Sequence, residues 1–145
     1  MNRELLNDDD RINFPANLFG VHFPFRLEPA IYNTAGRLSA DYHGGYWLMY
    51  RIGAGGFYMA PDEETFRVSG MNGFEGTLSG DAFGIVVCLY TYSQISFSTV
   101  PEVAEVCAGQ YFLLRKYVFE HPEAGYENMV EKLQGLGARI RKVRE

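Results

Sequence analysis

The sequence has few of the residues and patterns from which metal sites, secreted scaffolds and membrane proteins are built. Its 145 residues include two cysteines, three histidines and one tryptophan. Cys88 and Cys107 follow no metal-ligand spacing, and the absence of CxxC and HExxH motifs excludes the common zinc sites. No apolar run approaches the about 20 residues of a membrane helix. The first residues lack the apolar core of a secretory signal, so we expect a cytoplasmic protein with reduced, buried thiols.

Acidic residues outnumber basic ones by 18 to 13, and the formal charge of the chain is −5. A net acidic chain argues against broad, nonspecific binding to DNA. Simple mimicry of DNA is also disfavoured, because a mimic about 40 Å long would display roughly 20 or more negative charges. The acids also fall in short clusters, such as residues 8–10 and 62–64, rather than at regular spacing.

The order of turn signals and periodic segments predicts an α+β fold. Apolar residues recur near helical spacing over residues 24–38 and predict a helix there. Short strand-like segments alternate with glycine turns over residues 46–78, which is typical of a small antiparallel meander of three to four strands. Ser79 is a predicted N-cap of a buried helix that ends near residue 97. Further helices are predicted at about residues 101–120 and 126–144.

We expect one domain, at residues 12–145, preceded by a flexible acidic tail at residues 1–11. No internal repeat or low-complexity linker divides the chain, and a chain of this length can bury a core without disulfides. Residues 12–20 predict a short helical turn that docks through its apolar side chains. The ten tyrosines and eleven phenylalanines are expected to pack mainly inside the domain.

Two glycine–aromatic blocks are the most specific feature of the chain. Residues 39–47 are SADYHGGYW and residues 55–61 are GGFYMAP, followed by Asn72-Gly73-Phe74 and then Asp81. Glycine pairs permit tight turns, and the adjacent aromatic residues supply large buried area. In this order the blocks resemble the ArdB/KlcA family of antirestriction proteins, which plasmids and other mobile DNA carry in bacteria.

This resemblance implies a family-specific α+β fold and relief of type I restriction-modification of incoming plasmid or phage DNA, with methylation left largely intact. The implied location is the bacterial cytoplasm, and the implied partner is a type I restriction-modification enzyme or an associated host protein. Neither a cofactor nor a metal is implied, and we expect no membrane association and no strong binding to duplex DNA. Because the family pattern supplies no catalytic residue, we expect a non-enzymatic protein that acts through protein interaction or indirectly.

The matching positions divide into candidates for a contact surface and residues that determine the fold. Polar residues beside turns are often exposed, so Asp41, Tyr42, Tyr58 and Asn72 are the candidates for an interaction surface. The other matches are glycines, aromatic residues and turn residues, for which a structural role is expected. These mainly structural positions are Ser39, Ala40, Gly44, Gly45, Trp47, Gly55, Gly56, Phe57, Met59, Ala60, Pro61, Gly73, Phe74 and Asp81.

Two other functions stay open at this level. A small enzyme would use Asp41, His43 and Asp81 as acid–base groups, although carboxylates at such positions more often cap turns and helices. A DNA-binding regulator would use the basic C-terminal helix, although cations there also stabilise the last turn of a helix. The basic residues in question are Arg139, Arg141, Lys142 and Arg144.

Overall fold

The structure, a computed structural model, describes residues 1–69 and 75–120 of the chain. Helices and two small antiparallel sheets make up these residues, which confirms the predicted α+β class. The elements in chain order are strand β1 (Arg3–Leu5), helix α1 (Asp8–Phe19), a π-helical turn (Phe23–Leu27), helix α2 (Glu28–Leu38), strands β2 (Trp47–Ile52), β3 (Gly56–Pro61), β4 (Thr65–Ser69) and β5 (Glu75–Ser79), and helices α3 (Gly80–Ile95) and α4 (Pro101–Glu120).

The strands form two sheets instead of one continuous meander. β2 and β3 make an antiparallel hairpin in which Trp47 lies opposite Pro61. β1 pairs with the other edge of β2, so the order of this sheet is β1-β2-β3. β4 and β5 form a separate two-stranded sheet in which Phe66 lies opposite Leu78. All four predicted strands are therefore present, while β1 was not predicted.

Helix side chains close the free edge of β3, which explains why β4 does not pair there. Gln110 of α4 accepts a hydrogen bond from the N–H of Phe57 at 2.8 Å and donates one to the carbonyl oxygen two residues earlier at 2.8 Å. Tyr92 of α3 donates to the carbonyl oxygen of Phe57. The sulfur of Cys88 lies 3.5 Å from both the nitrogen and the oxygen of Met59. Since buried backbone groups need partners, these side chains take the place of a further strand.

The N-terminal residues are folded, which corrects the predicted flexible tail at residues 1–11. Beyond β1, the backbone N–H of Leu6 donates to the carbonyl oxygen of Met49 at 2.9 Å. The side chain of Asn7 caps α1 by accepting from the N–H of Asp10 at 2.8 Å. The acidic run therefore lies in the first turn of a helix, where carboxylates stabilise the positive end of the helix dipole. The assignment of residues 12–145 to a single domain stays a prediction.

The predicted helix at residues 24–38 is present, but its first turn is irregular. Pro24 and Pro29 have no backbone N–H to donate, and the N–H of Glu28 bonds instead to the carbonyl oxygen of Phe23, five residues earlier. The turn at residues 71–73 and the helix predicted at residues 126–144 lie outside the described residues.

Helix α3 occupies the centre of the fold. The Ser79 side chain caps it by accepting from the N–H of Ala82 at 3.0 Å, as predicted. Nearly every residue of α3 is buried, because α2, α4 and β3 all pack against it. Gly84 permits the close approach to β3, since an added Cβ would lie 2.3 Å from the Cβ of Ala60. This packing accounts for an apolar pattern that runs all round the helix.

Candidate interaction site

Asp41 joins the bend after α2 to strand β4. One of its oxygens accepts from the backbone N–H of Arg67 at 2.9 Å, and the guanidinium of Arg67 donates at 3.2 Å from Nε and 2.9 Å from Nη2. The N–H of Asp41 in turn donates to the Ser39 hydroxyl at 3.1 Å. The hydrogen bonds from Arg67 lower the pKa of the Asp41 carboxyl to about 2, so it is ionised at neutral pH. The Asp41 side chain is 32% exposed. The ion pair and hydrogen bonds between Asp41 and Arg67 are called the Asp41–Arg67 clasp below.

A shallow groove of about 480 Å³ lies beside the clasp, over the outward face of the β4–β5 sheet. The pattern of alternating burial in β4 turns Phe66 and Val68 toward the core and leaves Arg67 and Ser69 outside. Opposite them, the first three residues of β5 are exposed. This surface is called the Asp41 groove, and its lining residues are Ala40, Asp41, Arg67, Val68, Ser69, Glu75, Gly76 and Thr77.

Tyr42, the second predicted surface residue, faces partly inward. Its hydroxyl accepts a hydrogen bond from the indole N–H of Trp47 at 3.1 Å, and the two rings pack edge to face with centroids 5.7 Å apart. Gly44 and Gly45 have φ angles of 92° and 108°, which favour glycine and allow the chain to fold back between the two aromatic residues. The side chain is half-buried, so Tyr42 mainly attaches the loop of Asp41 to the core.

Tyr58 is fully buried, which corrects the prediction that it lies on a contact surface. Its hydroxyl donates to a carboxylate oxygen of Asp81 at 2.7 Å and accepts from Nη1 of Arg3 at 2.6 Å. Arg3 also contacts the same Asp81 oxygen at 2.7 Å, and its guanidinium lies over the ring of Tyr50, 4.5 Å from the centroid. Burial raises the pKa of Tyr58, and the Asp81 carboxylate raises it further, so the phenol stays protonated. This cluster fastens β1 to β3 and α3.

The residues selected from the sequence thus fall into one surface site and one cluster around the buried Tyr58, and Asn72, Gly73 and Phe74 lie outside the described residues. The family model described as an antirestriction protein matches residues 40–128, which include Asp41, Tyr58 and Asp81 but not Arg3. The chain belongs to the antirestriction protein family.

Individual antirestriction proteins match over most of their length. Two KlcA antirestriction proteins of Escherichia coli are 36% identical over 124 residues and 38% identical over 121 residues. The first alignment covers 83% of this chain and 87% of that relative, and the second 79% and 82%. A solved structure of the KlcA and ArdB proteins has a TM-score of 0.77 at 33% identity, covering 91% of this chain and 94% of that chain. It is described as a novel fold with antirestriction activity against type I DNA restriction systems in vivo but not in vitro. The expected family and its α+β fold are confirmed.

In this family member, the three groups of the hypothetical acid–base enzyme are not assembled into one site. Asp41 is bound by Arg67, whereas Asp81 is bound by Arg3 in the cluster around Tyr58. His43 is exposed beside Asp41, and it makes no hydrogen bond to either carboxylate among the described contacts. Acid–base catalysis needs the groups within reach of one substrate, and this arrangement does not provide that.

The two thiols also lack the surroundings of a nucleophile. Cys88 and Cys107 are buried, as predicted, and burial raises the pKa of each to about 12. A thiol with such a pKa is protonated at neutral pH and reacts slowly. Within the part of the chain that the structure describes, no group of three or more potential ligands is placed to hold a metal ion. None of the described helices has the length and apolar character needed to cross a bilayer.

Most of the remaining motif residues support the fold. Trp47, Phe57 and Met59 are buried in the sheet, and Gly56 is packed so tightly that an added Cβ would lie 2.4 Å from a carbon of Ile52. Arg3 was not selected from the sequence, although it binds both Tyr58 and Asp81. No local pattern indicates this contact, because Arg3 and Asp81 are 78 positions apart.

Proposed function

We propose that this protein relieves type I restriction-modification of incoming plasmid or phage DNA in bacteria while leaving methylation largely intact. The observation that carries the proposal is the likeness to the KlcA and ArdB structure over 91% of the chain. Those proteins have antirestriction activity against type I systems in vivo, and the same fold at 33% identity supports the same activity here.

The distribution of charge supports action on a protein instead of mimicry of DNA. The formal charge of −5 is far from the roughly 20 or more negative charges of a mimic about 40 Å long. Moreover, Asp41, Asp81 and Glu4 each pair with an arginine, so these acids are locally neutralised. A type I restriction-modification enzyme or an associated host protein is therefore the proposed partner.

A non-enzymatic action is part of the proposal. Support comes from the arginine contacts that occupy Asp41 and Asp81 and from the raised pKa of both buried thiols. The relatives' activity in vivo but not in vitro further supports an action that needs a component of the cell. The Asp41 groove is the proposed contact surface, since Ala40 and Asp41 of the first motif block line it beside exposed residues of β4 and β5.

The deciding experiment measures the plating efficiency of unmodified phage on bacteria that carry a type I system, with and without this protein. Plating on a host without restriction and plating of modified phage serve as controls for general effects on growth. We expect plating to rise toward that of modified phage, and the progeny to remain protected on replating because methylation continues. Unchanged plating across several type I systems would refute the proposal, and loss of protection in the progeny would refute its methylation part.

A further inference from the structure

We propose that the Asp41 groove binds an extended, cationic segment of a protein partner. The inference rests on the proposed function, because it identifies the chemistry of the surface through which that function is exerted. Its basis is the charge and the hydrogen-bonding groups of the groove, together with the free backbone edge of β5, which borders the groove on the side away from Asp41.

Among the described residues, the lining of the groove has an unbalanced negative charge. Asp41 and Glu75 line it together with Arg67, which leaves one net negative charge from these three residues. The charge of Arg67 is already matched, because two of its guanidinium nitrogens donate to Asp41. Glu75 is exposed and forms no ion pair with any described residue. Its carboxylate is therefore the charge that a partner would meet first, and a lysine or arginine side chain complements it.

The form of the surface favours an extended chain. In the described part of the protein β5 pairs with β4 alone, so the second edge of β5 has no strand beside it. Glu75, Gly76 and Thr77 are exposed along this strand. An unpaired edge of this kind binds peptides by adding a strand, with alternate side chains supplying specificity. The hydroxyls of Ser69 and Thr77 add hydrogen-bonding groups on the outward face.

Nucleic acid is a poor occupant of the same groove. Binding to a phosphate backbone requires lysine or arginine side chains that neutralise phosphates. Arg67, the one arginine among the described lining residues, is engaged by Asp41, and Glu75 would repel a phosphate. Charge complementarity therefore selects a basic protein segment.

The first test locates binding on the protein by NMR. The ¹⁵N-labelled full chain is titrated at low salt with a short synthetic peptide of alternating lysine and serine. We expect amide shifts at Ser69, Glu75, Gly76 and Thr77, and none there with a glutamate–serine peptide or with duplex DNA. The inference is overturned if the basic peptide shifts amides evenly over the acidic surface, or if DNA shifts the same four amides.

The second test uses two variants with the same change in charge. Glu75→Lys reverses the charge of an exposed carboxylate that lines the groove, and Glu105→Lys makes the same change at an exposed position on α4. From the Coulomb energy of a close pair at low salt, we expect Glu75→Lys to weaken peptide binding about tenfold. Glu105→Lys should leave it nearly unchanged. Equal weakening by both variants would show nonspecific attraction and overturn the inference.

Phage plating separates this inference from the proposed function. If the natural protein protects phage, Glu75→Lys should lose protection while Glu105→Lys keeps it. Retained protection with Glu75→Lys overturns the groove as the functional contact and leaves the antirestriction proposal intact. If the natural protein itself gives no protection, the proposed function fails, and the NMR titration then decides separately whether the groove binds basic peptides.

Discussion

Replacing Tyr58 by phenylalanine tests whether this motif residue is structural or contacts a partner. The change removes only a hydroxyl that is fully buried and that bridges Arg3 and Asp81 at 2.6 and 2.7 Å. A hydrogen bond to a charged group contributes about 1.5–3 kcal/mol to stability. The direct contact between Arg3 and Asp81, at 2.7 Å, remains in the variant, so neither charge loses its partner. We therefore expect a loss near that of one such bond, about 1.5–3 kcal/mol, instead of the sum of two.

Thermal unfolding and phage plating together check the Tyr58→Phe prediction. For a chain of 145 residues, this loss corresponds to a fall in Tm of about 3–12 °C. Tyr46→Phe is the matched control, because Tyr46 is 58% exposed and its change should be within about 0.5 kcal/mol. At a temperature where both variants stay folded, each should protect phage as the natural protein does. A variant at Tyr58 with unchanged Tm and lost protection would refute the reasoning, since it would show a direct contact by a residue that is buried here.

Three further predictions address the edge of β3, the clasp and the thiols. Gln110→Leu leaves the backbone N–H of Phe57 and the carbonyl oxygen of Gly55 without their partner. We expect the free energy of unfolding, measured in urea, to fall by about 2–4 kcal/mol. A loss below about 1 kcal/mol would contradict the conclusion that Gln110 closes the edge of β3. The folded pKa of Asp41, about 2, lies below its unfolded value of about 3.9, so its stabilisation is present above about pH 4 and is lost as pH falls toward 2. Asp41→Asn should therefore flatten the fall in urea midpoint over this range, and an unchanged pH profile would argue against the clasp. Cys88 and Cys107 should react with a thiol reagent only as fast as the protein opens, and rapid labelling of the native protein would contradict their burial.

The elements predicted correctly are those whose signals lie within a few residues. Glycines at the turn between β2 and β3 and the cap at Ser79 mark element ends directly in the sequence. β1 has no such signal, because its strand character comes from pairing with β2, whose partner residues lie 45 to 49 positions later. The composition of the acidic run at residues 8–10 is compatible both with a solvated tail and with the first turn of a helix. The Asn7 cap and the pairing of β1 decide between the two, and the second is an interaction between distant residues.

The error at Tyr58 has a physical cause that the sequence does contain. A polar residue beside a glycine turn is often exposed, and that rule selected Tyr58 as a surface residue. However, residues 56–61 show no alternation of polar and apolar side chains, and all six are buried because helices cover the strand. A continuous apolar run of this length indicates a strand buried on both faces. The apolar run is a stronger signal for burial than the neighbouring glycine turn is for exposure, and it correctly places Tyr58 in the core.

The glycine–aromatic blocks are mostly buried and the Asp41 groove is exposed, so substitutions in the two regions should have different effects on partner choice. Within the described residues, Trp47, Phe57, Tyr58 and Asp81 are occupied by internal contacts, so changes at these positions act first on stability. The proposed groove is lined by the exposed carboxylate of Glu75, which belongs to neither glycine–aromatic block. Two chains can thus share every block residue, and with them the fold, while differing in the charge of this surface. Charge complementarity gives specificity, because like charges reject wrong partners. We therefore expect the set of type I systems that a family member affects to vary with the charge of this groove more than with the block residues.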